Sequence, residues 1–166
     1  MSLVYLILGG NRGNREEIFL SAIDLVNKQI GKINSFSKLY ESESWGFKSE
    51  PFINQAIVLE TNLTPLEILD HCQEIEASLG RIRNTGGYEA RFIDIDILYI
   101  DSLIINTDRL KIPHPLIAER RFVLVPLAEI KPEMKDPASG LTVSEMLLNC
   151  KDQSKVWKLG EKCPGN

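Results

Sequence analysis

No Cys-x-x-Cys pair occurs in these 166 residues: Cys72, Cys150 and Cys163 are odd in number and widely spaced, which argues against a disulfide framework and a cysteine-built zinc site. Reduced thiols suit a cytoplasmic chain. No apolar run reaches transmembrane length. The opening M-S-L-V-Y-L-I-L-G-G has neither the basic leader nor the cleavage site of a signal peptide and reads as a buried strand. The expected location is the cytoplasm, with no membrane partner. An excess of positive charge is also missing: the formal net charge of −4 argues against a nucleic-acid partner. Internal repeats, low-complexity tracts and linkers do not occur, so a single domain over 1–166 is expected. An apolar share of 43% with 25% charged residues is enough to bury a core without disulfides or a structural metal.

The residues that are present alternate between strand and helix signals. A strand over Leu3–Leu8 ends in G-G-N-R-G-N, a tight-loop composition. From Arg15 to Gln29 the apolar residues Ile18, Phe19, Ala22, Ile23 and Val26 recur at helical spacing, before Gly31. Strands are expected over Ile33–Ser44 and Phe52–Thr61. T-P-L-E at 64–67 supplies a Thr cap, a Pro at the first helical position and Glu at the third, opening a helix to Leu79. The Gly- and Arg-rich stretch 81–91 reads as an exposed loop. Strand R-F-I-D-I-D-I-L follows, with Leu103–Ile105 expected to return as its hairpin partner. Residues 116–130 read as partly helical, interrupted by Pro126. T-V-S-E at 142–145 opens a short helix through Cys150, and a short strand falls near Val156. The order β-α-β-β-α-β implies an α+β, ferredoxin-like core, an antiparallel sheet with helices on one face and a C-terminal helical extension.

The chemistry concentrates around Asp94 and Asp96. Two residues along a strand span roughly 6.6 Å, so both carboxylates project from one face, beside Phe92, while Ile93, Ile95 and Ile97 occupy the other. Their repulsion is about 2.5 kcal/mol at an effective dielectric of about 20 and about 0.6 kcal/mol in open water. By itself the pair fits a solvated strand face, and it also fits a Mg²⁺ site bridging to substrate phosphates. Arg81, Arg83 and Arg91 precede it, and Arg109, Arg120 and Arg121 follow. Carboxylate-held metal ions with guanidinium groups are the basic equipment of phosphoryl transfer. His114, in P-H-P, is a turn residue that could donate a hydrogen bond to a phosphate. Gln73 and Glu76 share a helix face. Phe52, Tyr88 and Phe122 could together stack a flat heterocycle. G-G-N-R-G-N has neither the Lys-Ser/Thr of a P-loop nor dinucleotide spacing and takes no phosphate role.

These motifs, in order, resemble one family. G-G-N at 9–11, F-I-N-Q-A at 52–56, Q-E-I-E-x-x-L-G-R-I-R at 73–83, R-x-I-D-I-D-I-L at 91–98, L-x-I-P-H-P at 110–115 and E-R-x-F-V-L-x-P-L at 119–127 are similar to 6-hydroxymethyl-7,8-dihydropterin pyrophosphokinases of folate biosynthesis. The resemblance implies a Mg²⁺-dependent transfer of pyrophosphate from ATP to 6-hydroxymethyl-7,8-dihydropterin, releasing AMP, by a monomer. It implies catalytic roles for Arg81, Arg91, Asp94 and Asp96, with the two aspartates holding two Mg²⁺ ions. It places Gln73, Glu76, Arg83, Tyr88, Arg109, His114 and Arg120 at ATP. It places Phe52 and Phe122 on the faces of the pterin, and Asn54 with the backbone of Ser42, Glu43 and Trp45 at its polar edge. Family members commonly carry W-G-P-R where this chain has Tyr88-Glu89-Ala90-Arg91, and a proline within the S-E-S-W segment.

Overall fold

The computed structural model describes residues 1–43, 51–80, 82–83, 89–90 (backbone only for these two pairs) and 92–165. In chain order the elements are β1 (Ser2–Gly10), α1 (Arg15–Gln29), β2 (Lys32–Phe36), β3 (Tyr40–Ser42), β4 (Phe52–Thr61), α2 (Pro65–Gly80), β5 (Ile82–Arg83), β6 (Glu89–Ala90), β7 (Asp94–Ile100), β8 (Ile105–Asn106), β9 (Lys111–Ile112), a 3₁₀ turn (Ile117–Glu119), α3 (Arg121–Ile130), α4 (Val143–Asn149) and β10 (Val156–Lys158).

The main sheet is antiparallel, in the order β10-β3-β4-β1-β7, with β2 on the same edge of β4 as β3. The single strand expected over 33–44 is thus two strands. Ser37 breaks it: its N–H still donates to Ala56 O at 2.9 Å, but its Oγ accepts the Ala56 N–H and its C=O accepts Gln55 Nε2, so side-chain bonds take over the rest of the ladder there.

Alternation along β1, β4 and β7 sorts their side chains to two faces. Val4, Leu6, Leu8, Ile53, Ile57, Ile95 and Ile97 pack against Phe19, Ala22 and Val26 of α1 and Ile68, Cys72 and Ile75 of α2. Tyr5, Ile7, Ala56 and Val58 pack against Val123, Leu124 and Leu127 of α3 and Val143 and Met146 of α4. Burying each such aliphatic side chain is worth about 1.5–3 kcal/mol. The helices therefore cover both faces, not one. The C-terminal extension is the second layer, because the inward face of β1 and β4 on that side is as apolar as the other.

The caps behave locally. Asn14 accepts from the Glu17 N–H at 3.3 Å, and Thr142 accepts from the Glu145 N–H at 3.1 Å. Thr64 and Glu67 form a reciprocal box, Thr64 N–H to Glu67 Oε2 at 2.8 Å and Glu67 N–H to Thr64 Oγ1 at 3.3 Å. Pro126 sits within α3 without ending it. The expected hairpin from β7 to 103–105 does not form; β8 pairs with β9 instead, after a turn in which Asp101 adopts φ 47°. Among the described residues no helix is long and apolar enough to cross a membrane.

Candidate active site

The face of β7 that carries the acids looks toward α3. Asp94 lies opposite Gly9, and Asp96 opposite Ile7. Ile93, Ile95 and Ile97 point the other way into the α1–α2 core, between 1% and 5% exposed. Phe92 departs from expectation: it precedes the strand and its ring lies by Gly13, where an added Cβ would come within 3.1 Å of it. Backbone alternation no longer governs it once the ladder ends.

Ile7, Gly9, Ser42, Glu43, Phe52, Asn54, Asp94, Asp96, Arg120 and Phe122 line one cleft of about 360 Å³. Its floor is β1 and β4, its rim the end of β3, and its far wall the start of α3. Eight of these ten were legible from the sequence; Ile7 and Gly9 were not singled out, although strand alternation places them on the same face as Asp96 and Asp94.

Asn54 is the buried polar group of the cleft, 5% exposed. It donates from Nδ2 to Leu8 O and accepts from Ser42 Oγ, both at 3.4 Å. A Cβ at Gly9 would fall 2.8 Å from Asn54 Nδ2, and one at Gly10 only 2.2 Å from Phe92 O. The G-G pair is therefore explained by close approach of side chain and backbone, not by a phosphate turn.

The apolar and charged walls meet at Arg120 and Phe122, where the guanidinium carbon stands 5.6 Å from the ring centroid, within cation–π range. His114 lies close enough to feel both sides of the cleft. Burial pushes its pKa down, Asp96 opposes that and Arg120 adds to it. The His114 Nδ1 accepts the Leu116 N–H at 3.2 Å, so the neutral ring carries its proton on Nε2, which can donate.

Other expected residues stand elsewhere. Arg109 forms an ion pair with Asp70 of α2, both half-exposed, and is not among the cleft-lining residues. Gln73 is exposed on α2. Glu76, on the same helix, sends Oε1 to the Ile95 N–H at 2.7 Å, a contact with β7 that no local pattern announces. Arg81, Arg91, Tyr88 and Trp45 lie outside the described residues, as does the side chain of Arg83. Among the described residues no cluster of three or more His, Cys, Asp or Glu forms a cage for a metal. The carboxylates among the described cleft-lining residues are the Asp94 and Asp96 pair, with Glu43 at the rim.

An α+β domain with an aromatic and amide-lined cleft on one side of a carboxylate pair, and an arginine at its edge, has the character of a small-molecule phosphotransferase. The chain belongs to the 7,8-dihydro-6-hydroxymethylpterin-pyrophosphokinase (HPPK) family, whose model matches residues 5–132. It is 39% identical over 137 residues to the 2-amino-4-hydroxy-6-hydroxymethyldihydropteridine pyrophosphokinase of Porphyromonas gingivalis, covering 80% of this chain and 92% of that one. It is 33% identical over 159 residues to the Bacillus subtilis protein of the same name, covering 95% and 91%. The fold is similar to the crystal structure of wild-type Plasmodium falciparum HPPK-DHPS, with a TM-score of 0.72 at 19% identity; the match covers 89% of this chain and 44% of that one.

Proposed function

We propose that this chain transfers pyrophosphate from ATP to 6-hydroxymethyl-7,8-dihydropterin, giving AMP and the pterin diphosphate, a step of folate biosynthesis. The observation that carries the reading is the single cleft in which Phe52, Phe122 and Asn54 face the Asp94–Asp96 pair. A flat, polar, neutral ring needs aromatic faces and amide partners, and a polyphosphate needs cations.

Asp94 and Asp96 fit Mg²⁺ by donor chemistry: hard oxygens, two rather than a full cage, leaving positions for water and substrate phosphates. Two Mg²⁺ ions held there would neutralise the triphosphate. Arg120 adds a guanidinium at the rim, and His114 Nε2–H a neutral donor. Phe52 and Phe122 would hold the ring, with Asn54 fixed by Leu8 and Ser42 and the backbone of Ser42 and Glu43 at its edge. The substrate hydroxymethyl oxygen attacks the β-phosphorus, and the bond from that phosphorus to the oxygen bridging the α-phosphate breaks. AMP leaves with that oxygen, and the hydroxyl proton passes to a base, a role open to Asp94. Arg81, Arg83, Arg91 and Tyr88 are expected to act at the triphosphate, as the family resemblance implies.

The test is an assay with ATP, Mg²⁺ and the reduced hydroxymethylpterin, products identified by phosphorus NMR. AMP with a diphosphorylated pterin is expected, and omission of Mg²⁺ should stop turnover. ADP or free pyrophosphate as the product would sink the reading.

A further inference from the structure

The start of α3 carries Arg120 and Phe122 into the cleft, yet its N-cap residue, Arg120, makes no side-chain hydrogen bond to the helix among the described residues. A helix begins with N–H groups that have no partner within it. Here the partner comes from the far end of the chain: Asp152 Oδ2 accepts the Arg121 N–H at 3.0 Å. A carboxylate at that end also meets the positive pole of the helix. Asp152 is itself held, because Oδ1 accepts the Ser154 N–H at 3.0 Å and the Ser154 hydroxyl. Partial burial pushes its pKa up, but the bonds from Ser154 and Arg121 outweigh that and keep the carboxyl below its usual value.

The next residue grips the opposite rim. Lys155 N–H donates to Glu43 Oε2 at 3.2 Å, and Glu43 N–H donates to Lys155 O at 3.4 Å. From there β10 continues the ladder, Val156 opposite Ser42 and Trp157 opposite Glu41, and Trp157 Nε1 donates to Glu41 Oε2 at 2.8 Å. Seven consecutive residues, 152–158, therefore tie together the two rims of one cleft, Ser42–Glu43 on one side and Arg120–Phe122 on the other. The family model ends at residue 132, so this strap lies beyond the matched region.

We propose that Asp152 is a positioning residue for the pterin: by capping α3 from outside the helix it sets Phe122 and Arg120 against the rim that Lys155 holds. The claim rests on the pterin reading of the cleft. Asp152 does not touch the substrate. Its loss moves the aromatic wall, one of two expected ring faces, and Arg120, one of several cations expected at the triphosphate, and so weakens pterin binding more than ATP binding.

The experiment measures pterin binding by calorimetry with Mg²⁺ and a non-hydrolysable ATP analogue, together with KM for both substrates, on the full chain and on D152A and D152N. D152A is expected to weaken pterin binding about tenfold while KM for ATP rises no more than about threefold. D152N keeps an oxygen that can accept the Arg121 N–H and is expected to stay within about threefold of the parent. Equal losses toward both substrates in D152A, or D152N as impaired as D152A, would assign Asp152 a merely structural role and overturn the inference. So would unchanged pterin binding in D152A. If D152A does not fold, D152N decides: pterin affinity within threefold supports the capping bond, and a tenfold loss overturns it. A parent protein that does not bind the pterin overturns the functional reading itself, which separates the two failures.

Discussion

Glu76 of α2 accepts the backbone N–H of Ile95 at 2.7 Å, and Ile95 is the residue between Asp94 and Asp96. β7 lies at the end of the strand order, so among the described residues no strand beyond it pairs with that N–H. The carboxylate takes the place of a ladder partner and fixes the strand where the two aspartates diverge from it.

Replacing Glu76 with Ala leaves a buried N–H without its acceptor, at a cost of about 1–3 kcal/mol. The expected result is a lower denaturation midpoint and a several-fold higher Mg²⁺ concentration for half-maximal activity. Glu76→Gln retains an acceptor oxygen and should recover most of both. A denaturant titration and a Mg²⁺ titration of activity check this; an unchanged Mg²⁺ requirement in the Ala variant counts against the positioning role.

Asp94→Asn and Asp96→Asn are each expected to reduce turnover by more than about a thousandfold, since the metal and the in-line alignment act together. Circular dichroism should show an intact fold. The metal-free Asp96→Asn protein should be as stable as the parent or more stable, by up to about 1 kcal/mol, because one of two neighbouring like charges is gone. Near-normal turnover in either variant removes the metal assignment.

Phe122→Ala takes away an aromatic face and the ring beneath Arg120. Stacking is worth about 0.5–1.5 kcal/mol beyond burial, and the cation–π contact about 0.5–1 kcal/mol. Pterin affinity should fall roughly tenfold or more, with Phe122→Leu intermediate, in a fluorescence titration. A larger effect on ATP than on pterin would contradict the assignment of this wall.

Tyr99, fully buried, donates its hydroxyl to Asp136 Oδ2 at 2.8 Å. Burial, and then the hydrogen bond and charge of Asp136, raise its pKa far above the ordinary 10.0. The folded state therefore keeps this proton where the unfolded chain gives it up. Its contribution is complete below pH 10 and declines as pH rises further, with a slope of up to about 1.4 kcal/mol per pH unit. Tyr99→Phe should cost about 1.5–3 kcal/mol at neutral pH and flatten the alkaline decline in urea midpoints. An unchanged alkaline slope would show that Tyr99 is not its source.

The elements that the sequence made legible are those whose causes are local. The α1 boundaries came from apolar spacing over a few turns, the Thr64 and Thr142 boxes from residues three apart, and the β4 limits from Pro51 before the F-I-N-Q-A-I-V-L-E-T stretch and the T-P-L-E cap after it. The β2–β3 break was hidden because Ser37 looks like any strand-compatible polar residue until Gln55 and Ala56 lie beside it. The β8–β9 hairpin was misassigned for a related reason: Leu103–Ile105 had the composition of a strand, but composition does not choose a partner.

The site divides in the same way. The sequence by itself determined that Asp94 and Asp96 share a face and that isoleucines anchor the other, because a period of two along one strand needs no further information; the aromatic, amide and arginine residues around the pair were what the family resemblance implied. Only the tertiary structure decided that Ile7 and Gly9 form its floor, that Arg109 turns to Asp70, that Glu76 holds Ile95, and that Asp152 caps α3. Those contacts join positions far apart in the chain, and they exist only after sheet register and helix packing have brought the backbones together.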